Sequence, residues 1–326
     1  MDQDEEDDDG CRPNSATGRR ACRRIVIDDF ASKEEIDRLR LLAEKGASKA
    51  SPDAIKGGPT IVDVNTGFVR DPNGVTNLYE GPNVLRFDRD ELETYRRVME
   101  RIRDRVAEEF NATGLYLTAP TFVTREIGSA EHDWRPKSPH DEYFHPHVDK
   151  NNTAHYDYSG LLYLSDYATD FRGGLFAFLD GRRAETYVQE RPCYDDDILA
   201  AGAPHDCAAY AAAGFCPSHP DVADACPASC GTCVRRPTFS EKREESEWRR
   251  RWAQDAHVVE PKRGRLVVFS AGRENLHLVR EVSRGTRWVM SMWFTCDPTR
   301  TFDAFLDGRA HRYFNEATAD EGREEL

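Results

Sequence analysis

The sequence lacks a long hydrophobic run. No stretch of its 326 residues approaches the roughly 20 consecutive apolar residues that a helix needs to cross a bilayer. The first nine residues are almost all acidic, with neither the basic start nor the apolar core of a signal peptide. The sequence therefore predicts no membrane span in this chain, and a leader or anchor for secretion is expected to be missing from it.

Basic residues are also fewer than acidic residues. The chain has 45 Lys and Arg against 59 Asp and Glu, a formal net charge of -14. Nucleic-acid binding depends largely on clustered Lys and Arg, so the charge argues against a nucleic-acid partner and favours a protein or peptide. A hydrophobic fraction of 39%, with 16 Phe and 12 Tyr, is enough for the core of one large domain or two smaller ones.

The N-terminal third alternates between charged and structured patterns. Residues 1–23 are charged and lack periodicity, which predicts a disordered acidic tail. Residues 24–30 alternate as a strand does, and Ser32 and Glu35 form a capping-box pattern that predicts a helix. Residues 47–87 are rich in Gly, Pro and Asn and predict loops, one of which could hold a substrate.

Two patterns follow these predicted loops. Apolar residues recur every three or four positions from Leu92 to Phe110, which is typical of a helix with one buried face. Residues 115–125 then predict a strand.

A short motif organises the candidate chemistry. His147 and Asp149 are two residues apart within residues 143–150, and on a strand this spacing puts both side chains on one face, about 7 Å apart. An imidazole and a carboxylate, completed by a second His, form the facial triad of non-haem Fe(II) sites, which leaves positions open for a co-substrate and oxygen. The motif therefore predicts an iron site and requires a second His.

His277 is the strongest candidate for that second His. It follows an apolar run at residues 266–270 that predicts a buried strand. Arg287 comes ten residues later, and its planar guanidinium can bind a carboxylate through two parallel hydrogen bonds. Trp293 lies sixteen residues after His277, on a further predicted strand.

This combination resembles the 2-oxoglutarate and Fe(II)-dependent oxygenases of the prolyl 4-hydroxylase type. The resemblance covers about residues 24–185 and 257–300. It implies an α+β fold, a double-stranded β-helix (jelly roll) with helices packed on one side. It also implies that Fe(II) is bound by His147, Asp149 and His277. Arg287 would anchor the far carboxylate of 2-oxoglutarate, and ascorbate would rescue oxidised iron.

Three more residues are candidates near this site. Tyr143 and Tyr163 could hydrogen-bond the 2-oxoglutarate carboxylate, and with Trp293 and Arg287 they complete the predicted cofactor-binding set. His145 is a local rival to His147, because the two share a face of the predicted strand. We favour His147, which completes the His-x-Asp pattern.

The sequence departs from the family pattern at Gly173-Gly174. A polar pair follows this Gly pair in typical hydroxylases of the family, whereas Leu175 and Phe176 follow it here. The wall of the 2-oxoglutarate pocket is therefore expected to differ.

Six of the nine cysteines form a cluster. They are Cys193, Cys207, Cys216, Cys226, Cys230 and Cys233. No second Cys-x-x-Cys or His pair follows the last two, so we favour disulfides over the alternative of a zinc knuckle, although the sequence alone leaves the pairing open. The segment resembles the ShKT (ShK toxin-like) domain, which implies the pairs Cys193–Cys233, Cys207–Cys226 and Cys216–Cys230.

The other three cysteines lie outside this cluster. Cys11 and Cys22 could pair within the tail, and Cys296 is expected to be a buried apolar residue. The predicted oxygenase domain comprises residues 24–185 and 257–326. It is interrupted by an insert at 186–256, which contains the ShKT-like segment 193–233 and a charged helical return.

The expected function is hydroxylation of a C–H bond in a protein or peptide substrate, and the family resemblance favours a peptidyl proline. The reaction would use O2, with succinate and CO2 as co-products. One alternative is a non-catalytic binding protein whose insert recognises a protein or glycan, and another is a cupin-like metal protein with different chemistry. The disulfides and the final residues Arg323 to Leu326, which resemble an endoplasmic reticulum retrieval signal, predict the secretory pathway, in particular the endoplasmic reticulum lumen.

Overall fold

Two antiparallel sheets make up most of the described structure. The computed structural model describes residues 24–80, 84–128, 144–179, 195, 202–232 and 256–301. The strands are β1 (Arg24–Ile27), β2 (Gly58–Val62), β3 (Phe68–Asp71), β4 (Gly74–Asn77), β5 (Tyr116–Ile127), β6 (Tyr158–Tyr163), β7 (Phe171–Gly173), β8 (Phe176–Leu179), β9 (Ala256–Val259), β10 (Leu266–Ser270), β11 (His277–Val279) and β12 (Val282–Thr295). The helices are α1 (Lys33–Ala47), α2 (Arg89–Phe110), α3 (Asp149–Asn152), α4 (Cys207–Ala212) and α5 (Pro220–Ala225), with 3-10 turns at Pro52–Lys56, Arg273–Asn275 and Pro298–Arg300.

The strand order interleaves distant parts of the chain. Among the described residues, the larger sheet runs β1-β10-β6-β12-β5-β2-β3-β4, with β7 paired to β12 beside this path. The smaller sheet runs β11-β8-β9. β8 ends shortly before the predicted insert and β9 begins at the last residue of that insert, and the two strands pair with each other, with Leu179 opposite Ala256. Two antiparallel sheets that share one apolar interior form the predicted double-stranded β-helix.

The long strand β12 shows how the two faces of the larger sheet differ. Met290 and Met292 pack into a core with the helices, whereas Val289 packs into a core with residues of the smaller sheet. Successive side chains on a strand point to opposite faces, so even positions of β12 face the helices and odd positions face the smaller sheet. Arg287 and Trp293 are therefore on the face that lines the space between the sheets.

Helices α1 and α2 cover the other face of the larger sheet. Each begins with a capping box, Ser32 with Glu35 in α1 and Asp88 with Glu91 in α2. Their buried faces supply much of the core against the sheet. The predicted helices and their packing on one side are confirmed. Among the described residues, no helix has the length and apolar character needed to cross a membrane.

The prediction of loops at residues 47–87 is wrong. Strands β2, β3 and β4 extend the larger sheet there, and every residue of β2 is buried. Gly and Asn residues lie at or beside turns, such as the tight turn of Pro72 and Asn73 that joins β3 to β4 and is followed by Gly74. Such turn signals are compatible with a strand meander as well as with loops.

The described part of the insert consists of α4, α5 and two disulfides. Cys207 bonds Cys226 and Cys216 bonds Cys230. Both pairs are those that the ShKT resemblance implies. The third predicted pair, Cys193–Cys233, lies outside the described residues, as do residues 1–23 with Cys11 and Cys22.

Cys296 corrects the prediction of a buried apolar thiol. It is half-buried and disulfide-bonded. It directly follows the last residue of β12. The four other described cysteines pair among themselves.

Candidate metal centre

A backbone pair brings two histidines side by side. The amide of His147 donates to the carbonyl of His277 at 2.9 Å, and the reverse bond measures 3.0 Å. The two rings lie 4.4 Å apart between centroids. His277 is thus placed by direct cross-strand pairing with the motif that it completes.

The predicted strand through His147 and Asp149 is only partly present. His147 forms an isolated bridge to His277, and Asp149 is already the first residue of the one-turn helix α3. The turn draws the carboxylate closer than an extended strand would. Nε2 of His147 lies 4.0 Å from Oδ1 of Asp149.

Three ligand atoms converge in this cluster. The Nε2 atom of His277 lies 3.9 Å from the same Oδ1, and one ligand atom of each residue falls within 4.8 Å of the others. The Nδ1 atoms of His147 and His277 face the carbonyls of His145 and Asn275 at 3.0 Å and 2.8 Å. A backbone carbonyl requires an N–H donor, so both rings keep Nε2 free for a metal.

Electrostatics favour the ligand forms of these groups. Burial lowers the pKa of His147, and the neighbouring His277 lowers it further, so the imidazole is neutral. Burial acts to raise the pKa of Asp149, but His277, His147 and two hydrogen bonds outweigh it, so the pKa stays below its ordinary value. Neutral imidazoles and an ionised carboxylate are the states that bind a divalent metal.

Ser159 and Trp293 hold the Asp149 carboxylate. The Ser159 hydroxyl donates to Oδ2 at 2.5 Å, and the Trp293 indole also hydrogen-bonds the carboxylate. The two residues face each other across β6 and β12, and Tyr156 stacks on the indole with centroids 5.2 Å apart. Trp293 is thus a partner of Asp149, whereas its sequence position predicted a residue of the cofactor-binding set. No local pattern in the sequence singles out Ser159, because its contact with Asp149 forms only in the folded chain.

Aromatic side chains enclose His277. Its ring stacks on Phe176 at 5.2 Å and contacts Phe269 at 5.0 Å and Phe178 at 6.3 Å between centroids. Phe176 is one of the two residues that depart from the family pattern after Gly173-Gly174. It excludes water from one side of the histidine.

Asn275 fixes the turn before His277. It is 1% exposed, its amide donates to the carbonyl of Ser270 at 2.8 Å, and it accepts from Arg24 at 2.6 Å. The backbone carbonyl of Asn275 is the acceptor for His277, so these bonds orient the ring.

Arg287 and Tyr163 form a second polar group between the sheets. The guanidinium carbon of Arg287 lies 5.5 Å from the centroid of the Tyr163 ring. The Tyr163 hydroxyl and the Arg287 Nε atom are buried, and neither has an acceptor for its hydrogen. Burial raises the pKa of Tyr163 to about 12, so the hydroxyl is a donor at neutral pH. Two unpaired donors beside each other fit an anionic acceptor.

Gly174 leaves the room that Arg287 occupies. A Cβ atom added at Gly174 would lie 2.9 Å from Cδ of Arg287, and the φ of Gly174 is +59°. The predicted Gly-Gly turn thus contacts the stem of the predicted anchor.

Two other residues, Tyr143 and His145, were candidates for this site. Tyr143 lies outside the described residues. The ring of His145 lies 5.3 Å from that of His147 between centroids, but the only described group of ligands suited to one ion is His147, Asp149 and His277.

Comparison with known proteins gives matches in sequence and structure. The sequence profile of the 2OG-Fe(II) oxygenase superfamily matches residues 137–295. The 2-oxoglutarate and iron-dependent oxygenase domain-containing protein 3 of Mus musculus is 30% identical over 298 residues, which cover 90% of this chain and 69% of that protein. The chain thus spans about two thirds of this relative's length.

Two further matches are more limited. Prolyl 3-hydroxylase 2 of Rattus norvegicus is 50% identical over 40 residues, or 12% of this chain and 6% of that protein. A Trichoplax adhaerens prolyl hydroxylase, solved with a hypoxia inducible factor peptide fragment, superposes with a TM-score of 0.42 at 11% identity over 86% of each chain.

Proposed function

The chain belongs to the 2OG-Fe(II) oxygenase superfamily, and from this premise we propose that it hydroxylates a peptidyl proline, with succinate and CO2 as co-products. It is a 2-oxoglutarate-dependent dioxygenase, as predicted, and the reading as a non-catalytic binding protein is not retained. The family uses Fe(II), 2-oxoglutarate and O2. The proline target and the role of each residue are the proposed steps.

The observation that carries the proposal is the cluster of His147, Asp149 and His277. Two imidazoles with free Nε2 atoms and one carboxylate are the donor set of a non-haem Fe(II) site with open positions. In our proposal these residues bind the iron, and Ser159 and Trp293 keep the carboxylate aimed at it. The chemistry of the donors therefore fits the metal.

The unpaired donors of Arg287 and Tyr163 fit the co-substrate. We assign them to the distal carboxylate of 2-oxoglutarate, which would supply the acceptor that both lack. When bound, iron and 2-oxoglutarate together supply the activation of oxygen and the oxidation of a C–H bond. The phenylalanines around His277 would exclude water from this step.

Two observations support proline as the target. The motifs resemble those of prolyl 4-hydroxylases, and the Rattus norvegicus relative with the 40-residue match is named a prolyl 3-hydroxylase.

Ascorbate would restore iron oxidised in turnover without substrate. Arg287, in place of the usual lysine, is also compatible with lysyl or other targets.

The compartment is part of the proposal. Two disulfides in the insert and a disulfide-bonded Cys296 fit an oxidising environment. We propose that the protein acts in the secretory pathway, in the endoplasmic reticulum lumen. Expression of a tagged full-length protein and imaging beside a lumenal marker would test this, and a cytosolic pattern would contradict it.

The test of function is succinate formation by the purified protein with Fe(II), ascorbate and air. We expect 2-oxoglutarate turnover to rise when a pool of proline-rich peptides is added, with a mass increase of one oxygen atom on proline. A matched pool in which alanine replaces proline is the control. Equal stimulation by both pools would contradict the proline assignment.

A further inference from the structure

Arg287 has a buried acidic neighbour with no assigned role. Glu126 on β5 is directly opposite Arg287 on β12, and Oε2 accepts from Nη1 of Arg287 at 3.1 Å. The side chains are 7% and 2% exposed, respectively. A buried acid and base as cross-strand partners are strongly coupled, because little solvent screens them.

This neighbour leaves part of the guanidinium available. A guanidinium has five N–H donors, and the contact to Glu126 uses Nη1 while Nε remains without a partner. The Tyr163 hydroxyl beside it is also unpaired. A ligand carboxylate can therefore bind the guanidinium while Glu126 stays in place.

The positive charge of Arg287 is consequently paired with the Glu126 carboxylate before any ligand binds. An Arg without a counter-ion would present a full positive charge to the distal carboxylate of 2-oxoglutarate. Here that carboxylate would become the second negative group on one guanidinium. Two carboxylates on one guanidinium are about 6 Å apart, and at an effective dielectric constant of about 20 their repulsion corresponds to roughly a hundred-fold in Kd.

We propose that Glu126 is a positioning residue that sets the affinity of the site for 2-oxoglutarate. It holds the Arg287 side chain in place and weakens binding of the distal carboxylate through repulsion. This inference rests on the proposed role of Arg287 as the co-substrate anchor. The inference predicts tighter binding of 2-oxoglutarate when the Glu126 charge is removed. Loss of a purely structural residue would instead weaken this binding or leave it unchanged.

The test is the Kd of 2-oxoglutarate in the full chain with saturating Fe(II) under anaerobic conditions, measured by calorimetry. We expect Glu126→Gln to bind at least about tenfold more tightly than the wild type, because the amide keeps the shape and a hydrogen-bond acceptor but removes the charge. Glu91→Gln is the matched control. Glu91, at the start of α2, is 4% exposed and forms an ion pair with Lys45, so Glu91→Gln also breaks the ion pair of a buried acid. This control should leave the Kd of 2-oxoglutarate unchanged.

Equal or weaker binding by Glu126→Gln, with binding by the wild type intact, would overturn this inference alone. Absence of binding in the wild type and both variants would overturn the proposed function as well. If Glu126→Gln fails to fold, the wild type can be titrated with the distal monoamide of 2-oxoglutarate. A preference for 2-oxoglutarate of less than about tenfold supports the inference, and a larger preference overturns it.

Discussion

The two oxygens of the Asp149 carboxylate have different neighbours. Oδ1 lies 4.0 Å and 3.9 Å from the Nε2 atoms of the two histidines, whereas Oδ2 accepts a hydrogen bond from Ser159. Fixing one oxygen limits the rotation of the side chain and would direct the other oxygen towards a metal bound by the two histidines. The individual residues around the ligands therefore determine how well the site is formed before iron binds.

Ser159→Ala should weaken the metal site without abolishing it. Loss of the bond to Oδ2 frees the carboxylate to rotate, and we expect Fe(II) affinity to fall about 10- to 100-fold. An anaerobic Fe(II) titration measures this. Ser165→Ala is the control, because Ser165 is also buried but bonds the backbone of Trp288. A similar loss of iron affinity in both variants would contradict the role of Ser159.

Gly174→Ala should affect the co-substrate rather than the metal. The added Cβ would displace the Arg287 stem, from which it would lie only 2.9 Å, so we expect the Kd of 2-oxoglutarate to rise roughly 10- to 100-fold. Gly231→Ala controls for backbone strain, since Gly231 has a φ of +67° but open space around its Cβ position. Unchanged 2-oxoglutarate binding by Gly174→Ala would argue against Arg287 as the anchor.

Among the elements, those with local signals could be predicted from the sequence. The capping box at Ser32 and the apolar stripe of α2 depend on neighbouring residues only, and both helices begin and end close to their predicted bounds. The pattern of residues 47–87 does not reveal strands β2 to β4, because β2 joins the sheet by pairing with β5, a contact distant in sequence, and β3 and β4 extend the sheet from β2.

In the candidate site, too, only the residues with a recognisable type and spacing could be predicted from the sequence. His147, Asp149 and His277 could be selected by type and spacing, and the structure brings them together. Ser159 and Glu126 could not be selected, because each acquires its partner only in the folded chain, Asp149 for Ser159 and Arg287 for Glu126. The turn at Asp149 likewise depends on the amide of Lys150, which donates to the carbonyl of Ala271 at 3.0 Å.

The contact between α1 and α2 should be sensitive to acid. Glu35 accepts two hydrogen bonds from Arg101, at 2.9 Å and 2.8 Å, and the bonds from Arg101 are the main cause that lowers its pKa from 4.5 to about 2. Because folding lowers this pKa, the ionised Glu35 carboxylate stabilises the folded protein at pH values above its ordinary pKa of 4.5. This stabilisation is lost as the pH falls towards 2. Glu35→Gln should therefore lower the free energy of unfolding most above pH 5 and least near pH 2.

Urea unfolding at several pH values between 3 and 7 measures this difference. Glu44→Gln is the control, because Glu44 forms an exposed pair with Arg40 on the same helix and should change the free energy of unfolding by less than about 0.5 kcal/mol. An effect of Glu35→Gln that is the same at every pH in this range would contradict the ion-pair explanation.

At the scale of the whole molecule, the insert connects two neighbouring strands. Leu179 at the end of β8 is opposite Ala256 at the start of β9, so the chain leaves and re-enters the smaller sheet at one point. An enlarged hairpin connection of this kind does not require any change in the sheet. The cysteine cluster predicts an insert, and the pairing of β8 with β9 is compatible with an additional segment between these strands.

Removal of the disulfides should unfold the insert and leave the metal centre intact. The two bonds join residues 19 and 14 positions apart. A disulfide that closes a loop of this size contributes about 3 kcal/mol to the free energy of unfolding. We expect a chain with Cys207, Cys216, Cys226 and Cys230 replaced by Ser to lose amide-exchange protection in α4 and α5 while binding Fe(II) as before. Loss of iron binding would show that the insert supports the barrel.

The central claim is that His147, Asp149 and His277 bind the iron, and an anaerobic Fe(II) titration of three proteins tests it most directly. His147→Ala and His145→Ala are matched variants, since they remove neighbouring imidazoles and keep the carbonyl of residue 145 that accepts from Nδ1 of His147. The wild type and His145→Ala should each bind one Fe(II) per chain, whereas His147→Ala should lose at least about a hundredfold in affinity. Full iron binding by His147→Ala, or its loss in His145→Ala, would contradict the account.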